Sequence, residues 1–225
     1  MYSKQTIEGN MDISHFYKLS IDYIPSAILA GAINIEESFG NQDFDDDRLF
    51  LGDYHGISFP ISFKQRSGRK LTDVLRIGYV WPFLISERLK HILEEHYFTG
   101  WKTFPVKVFD KNDIEIPGYY GFSVTGKCGP IDYIKSQIIE KSIHTDGPLY
   151  KYYKGLYVGL DQWDGSDFFL PGANKGIIIT ERVADALTKN KLTNIKITNL
   201  LDIEVDDDTV ELYMKNQQKQ KEANS

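Results

Sequence analysis

Two stretches of this chain, 94 residues apart, follow one pattern: ISERLKHILEEHYFTGWK from Ile85 and ITERVADALTKNKLTNIK from Ile179. Ile85/Ile179, Glu87/Glu181, Arg88/Arg182, Leu93/Leu187, Thr99/Thr193 and Lys102/Lys196 are identical, and Ser86/Thr180 and Leu89/Val183 are conservative. In each, a strand end meets a hydroxyl residue suited to cap a helix, two to three amphipathic turns follow, and a short turn leads into another strand. Leu89, Ile92, Leu93 and His96 recur at i, i+3, i+4 and i+7 behind Ser86 as N-cap, and Val183, Ala186 and Leu187 share a face behind Thr180. A capped helix entering a strand produces part of this likeness by itself. The Thr and Lys pairs after the helix are not demanded by helical periodicity, and they point to two related substructures.

The remaining sequence is mostly strand-like. Thirty aromatic residues concentrate in short alternating runs such as HFYKLSID, FPISFKQ, FPVKVFD and YYGFSVT, the pattern of half-buried strands. Asp110-Lys111-Asn112-Asp113 lies between FPVKVF and IEI as a hairpin turn. A last helix begins near Asp208, acidic at its start and basic at its end. The expected fold is therefore α+β: a mixed or antiparallel sheet with two similar strand-helix-strand units and a C-terminal helix. With no Pro/Gly/Ser linker, residues 1–225 read as one compact unit or as two packed halves, about 1–110 and 111–214, followed by a frayed polar tail at 215–225.

Composition removes several function classes. A net charge of −6 argues against a protein that neutralises nucleic-acid phosphates, so nucleic acid is not an expected partner and a highly charged partner should be basic. The one cysteine, Cys128, permits no internal disulfide and favours a reducing compartment. The N-terminus lacks an apolar signal core and no run approaches a membrane span, so the expectation is a cytoplasmic protein without a membrane partner. Oligomeric state is not legible.

Motif searches lead to rejections. Gly121 to Lys127 fits the spacing of a phosphate loop, but FSVT alternates like a strand, Cys128 stands where a magnesium-binding hydroxyl belongs, and Gly129-Pro130 follows where a helix should open. Gly56-Ile57-Ser58 lacks the second glycine of a nucleophile elbow. The five histidines have no metal spacing, and the acids of residues 161–167 do not keep a calcium-loop rhythm; a turn over Trp163 explains them. No catalytic residue, cofactor or metal is expected.

Acid runs remain. Twelve of the 32 acids fall within residues 36–47 and 202–211, neither of which contains a base. Glu36, Glu37, Asp43, Asp45, Asp46, Asp47, Asp206, Asp207 and Asp208 are candidate partner-binding residues, a negative surface that steers a basic protein; a solvated loop and a helix N-terminus explain the same runs without function. A different class of function, an enzyme or small-ligand binder, would use Asp132, Asp161 and Asp164 over a tyrosine-lined pocket.

The order of landmarks adds a further expectation. Ser86 and Arg88, then Phe104-Pro105-Val106, then Tyr119 and Tyr120, then Asp132 and Ser136, then Thr180, Ala186, Leu187, Leu192 and Thr193 resemble a large bacterial family of predicted polymorphic-toxin immunity proteins, formerly a domain of unknown function, over roughly residues 70–200. Two positions depart from the family pattern: Asn194 replaces a usual glycine, and Phe168-Phe169-Leu170 replaces an aromatic-arginine pair. The resemblance implies a non-enzymatic protein that binds and neutralises a cognate toxin, and it carries over no catalytic residue.

Overall fold

The protein is described by a computed structural model covering residues 12–33, 35–40, 46–78, 83–142, 144–145, 147–172 and 174–223. The N-terminal part holds β1 (Phe16–Ile21), β2 (Leu29–Ile33), α1 (Ile35–Ser38), α2 (Asp46–Phe50), β3 (Ile61–Ser67) and β4 (Val74–Ile77). Next come β5 (Leu84–Ser86), α3 (Glu87–Glu95), β6 (Trp101–Phe109), β7 (Glu115–Ile116), β8 (Tyr119–Val124) and β9 (Gly126–Cys128). The C-terminal part holds β10 (Gln137–Ser142), β11 (Leu149–Lys154), β12 (Phe168–Pro171), β13 (Ile177–Thr180), α4 (Glu181–Lys189), β14 (Ile195–Asn199), β15 (Glu204–Asp206) and α5 (Asp207–Ala223).

The α+β expectation holds, but in place of one sheet there are three among the described residues, and one is closed. Six strands run in the order β3-β2-β4-β5-β8-β6, and β6 returns to β3 in a parallel pairing from Ile61↔Val106 to Lys64↔Phe109, which completes a barrel. Alternation drives the closure. Ile61 and Phe63 point inward while their neighbours face out, and they meet Leu75, Leu84, Phe104 and Val108 inside, with Phe39 and Leu49 joining from the α1–α2 region. Gly121, opposite Phe104, is required there because a Cβ would sit 2.1 Å from the Phe104 ring.

The second sheet, β14-β1-β13-β12-β9, buries one face on α3, α4 and the barrel through Leu19, Phe168, Ile179, Val183 and Leu187. Its other face, with Phe16, Phe169 and Ile178, covers a third core built with Tyr133, Leu156, Leu200 and Val210. The third sheet, β10-β11-β15, carries α5. β1 belongs to the second sheet and β8 to the barrel, so strands from both sides of residue 110 share sheets. α5 runs to Ala223, supported by i,i+4 contacts of Lys215 with Glu211 and Gln218 with Glu222. The turn at Asp110–Asp113 forms as the spacing predicts, its Asp110 carboxylate accepting the Asn112 and Ile114 N–H groups at 2.7 and 2.9 Å.

Candidate functional site

The most concentrated polar chemistry lies around two buried aspartates, Asp73 and Asp167, also 94 residues apart. Asp167 accepts from the Thr99 N–H at 2.9 Å, the Thr99 and Thr180 hydroxyls at 3.0 Å each, and Arg182 through Nε at 2.6 Å and Nη2 at 3.0 Å. Asp73 accepts from the Thr193 N–H and hydroxyl at 2.8 Å, from Ser86 Oγ at 3.2 Å, and from Arg88 Nη1, which lies 3.1 Å from both carboxylate oxygens. In both, the aspartate stands just before a strand, the hydroxyl residue holds the N-cap position of the helix that follows, the arginine lies one residue into that helix, and the threonine comes from the turn after the other helix. Each clasp therefore joins α3 to α4 crosswise. Burial pushes the Asp167 carboxyl up, but the hydrogen bonds from Arg182, the Thr99 backbone and the two hydroxyls outweigh it and hold the pKa below 3.8.

The two units differ at the cap. Ser86 Oγ accepts the Leu89 N–H at 3.1 Å, whereas the Thr180 hydroxyl makes no cap bond and is spent on Asp167. The turns after the helices match: Tyr97 and Lys191 have φ of 51° and 49°, Gly100 and Asn194 of 81° and 65°. Asn194 fills the glycine position as an αL residue and donates from Nδ2 to Val74 O at 2.8 Å.

The acid runs sit on different elements. Glu36 and Glu37 are exposed in the first turn of α1. Asp47 on α2 pairs with Lys175; Asp43, Asp45 and the Asp46 side chain lie outside the described residues. Asp206 caps α5, accepting from the Thr209 N–H and hydroxyl at 2.8 and 2.9 Å, and those two bonds lower its pKa. Asp207 pairs with Lys151 at 3.0 Å, and Asp208 is exposed.

Of the acids read as candidates for a tyrosine-lined pocket, one lies beside a groove lined by tyrosines. A groove of about 800 Å³ between α5 and the Tyr133–Lys135 turn is floored by Tyr133, Tyr153 and Tyr213, and Asp132 lies at its side. Asp161 and Asp164 are not in it. Asp164 accepts the Lys127 N–H at 2.9 Å and the Ser166 N–H and hydroxyl at 3.0 and 2.5 Å, which makes it a turn-forming group beside Trp163. Asp161 is exposed on a short 3-10 turn. Gly121 to Lys127 lies in β8, β9 and their joint, so no phosphate loop forms. Cys128 is buried, and burial, then the charges of Asp164 and Asp161, push its thiol up to about 12. Among the described residues no three His, Cys, Asp or Glu side chains gather as a metal site, and no helix is long and apolar enough to cross a membrane.

A family model described as an immunity protein family, Imm11, matches residues 24–202, which takes in the barrel, both clasps and the second sheet apart from β1. The chain belongs to the Imm11 immunity protein family. Imm11 membership implies a toxin as partner. No curated protein matches the chain. The match begins well before residue 70, where the motif resemblance starts. Asp73 and Asp167 were missed in the sequence for a definable reason. Both stand 12 residues before the repeated isoleucines, in segments whose flanking residues differ, and their shared spacing is the signal that would have found them.

Proposed function

We propose that this Imm11 chain binds and neutralises a toxin made by its own or a kin cell, in the cytoplasm, by covering the toxin's surface rather than by chemistry of its own. The family match over residues 24–202 carries the reading. The buried titratable groups support it: Asp73 and Asp167 are saturated by the clasps, and the Cys128 thiol is held far above neutral pH. The repeat is read as two related strand-helix-strand units locked to one another, a rigid frame that presents surface.

The acids at Glu36, Glu37, Asp43, Asp45, Asp46 and Asp47, and at Asp206, Asp207 and Asp208, supply a field that draws in a basic partner and speeds its association. The test is co-expression with the toxin domain encoded beside the chain's gene. Growth is restored, and the purified pair binds with an association rate that falls as salt rises. A chain that neither restores growth nor binds that domain would sink the proposal.

A further inference from the structure

The third sheet ends in an unshared edge. β10 pairs with β11 on one side, from Gln137↔Lys154 to Ser142↔Leu149, and among the described residues no strand lies on its other side. Such an edge presents alternate backbone N–H and C=O groups to any extended chain. Apolar side chains accompany this edge: Ile138 is 59 % exposed, and Ile134, at the mouth of the tyrosine-floored groove, is 85 % exposed, while Lys141 on the same strand is drawn to Glu204.

The floor of that groove is rigid. Tyr133 packs edge-on against Tyr153 at 6.1 Å and Tyr213 at 5.3 Å, and the Tyr213 hydroxyl accepts the Ile131 N–H at 3.1 Å. Ile138 lies opposite Tyr153, and so lines the same groove. Two residues on, and therefore on the same face, exposed Glu140 lies opposite Lys151. Its natural cross-strand partner is taken: the Lys151 amine pairs with Asp207 at 3.0 Å and lies 4.7 Å from the Tyr153 ring. Among the described residues no cation pairs with Glu140, an exposed carboxylate on the edge strand.

We propose that β10 is where the toxin docks, by adding an extended strand to this edge. That strand places an apolar side chain beside Ile138 and over the groove, and a Lys or Arg two residues away beside Glu140. The inference rests on the immunity reading above and names its contact surface. Main-chain bonds supply affinity without regard to sequence, the groove selects an apolar residue, and Glu140 fixes direction and register.

The test uses the full chain and the toxin domain encoded beside its gene. On binding, hydrogen exchange at the amides of residues 137–142 slows at least tenfold. Ile138→Asp and Glu140→Lys, both at exposed positions, keep the wild-type melting curve yet raise Kd at least tenfold, and Glu140→Gln has a smaller effect. Two results overturn docking at β10 while leaving the immunity reading intact. In one, the wild type binds with β10 exchange unchanged and both variants bind as before. In the other, the free chain sediments as a dimer with β10 already protected, so that a second copy holds the edge. Absence of both binding and protection by the wild type removes the immunity reading and this inference together.

Discussion

Replacing Asp167 by Asn keeps the volume of the side chain and removes its charge from a site where five donors converge on two oxygens. The amide offers one acceptor in place of two and turns an NH₂ group toward an N–H or a guanidinium. Removing one partner of a buried ion pair costs about 3 to 5 kcal/mol. Arg182 is itself 56 % exposed and recovers hydration when its partner goes, which places the expected loss near the lower end, about 3 kcal/mol. For a chain of this length that corresponds to a fall in Tm of roughly 6 to 12 °C. Arg182→Met should cost less, because Asp167 keeps the Thr99 and Thr180 donors. The sign of the pH dependence follows from the lowered carboxyl pKa. The charged form is favoured by folding, so the gap between wild type and Asp167→Asn is fully present above the unfolded value and closes as pH falls through the folded one, below 3.8. Urea unfolding followed by circular dichroism at pH 7 and near pH 3 measures both quantities. A loss under about 1 kcal/mol at pH 7, or a gap that widens in acid, would refute the clasp as a source of stability.

Cys128, with its thiol pushed up to about 12, should resist alkylation at pH 8 in the native protein and react once urea unfolds it; rapid labelling of the folded chain would contradict that burial. Gly100→Ala adds a Cβ 2.1 Å from Phe168 O at a φ of +81°, and a melting curve should show at least about 2 kcal/mol of destabilisation, with a wild-type curve counting against the packing. Asn194→Gly should keep the turn but lose the bond to Val74 O, costing about 1 kcal/mol in urea unfolding, less than Asn194→Ala. Asp206→Ala should lower Tm by unsatisfying the first turn of α5, whereas Asp208→Asn should leave Tm unchanged and slow toxin association at low salt; equal melting of the two variants would dismiss the cap.

Helices α3 and α4 and the Asp110 hairpin were legible because their signals are local: the spacing of Leu89, Ile92 and Leu93, that of Val183, Ala186 and Leu187, and an Asx turn with left-handed Asp113. The barrel was not. Its closure depends on Ile61 meeting Val106, and an alternating strand such as FPISFKQ carries no mark of which distant strand it will pair with. For the candidate site, residue type was readable and role was not. Asp206 and Asp164 were singled out as acids, and only the fold shows their oxygens turned onto nearby backbone N–H groups. In the sequence, Ile138 and Glu140 carry no mark of their place, because a sequence does not say which strand ends a sheet.

β1 lies between β13 and β14, pairing with both, so the first of the described strands is flanked by two of the last. At about 5 to 20 residues per second of synthesis, Ile177 follows Ile21 by roughly 8 to 30 s. Throughout that interval Phe16 and Leu19 have no sheet to enter, and the N-terminal strand leaves the ribosome with both edges open. A newborn chain is therefore exposed to pairing with its neighbours on the same message, and truncation anywhere before β14 should yield aggregated rather than merely shortened protein.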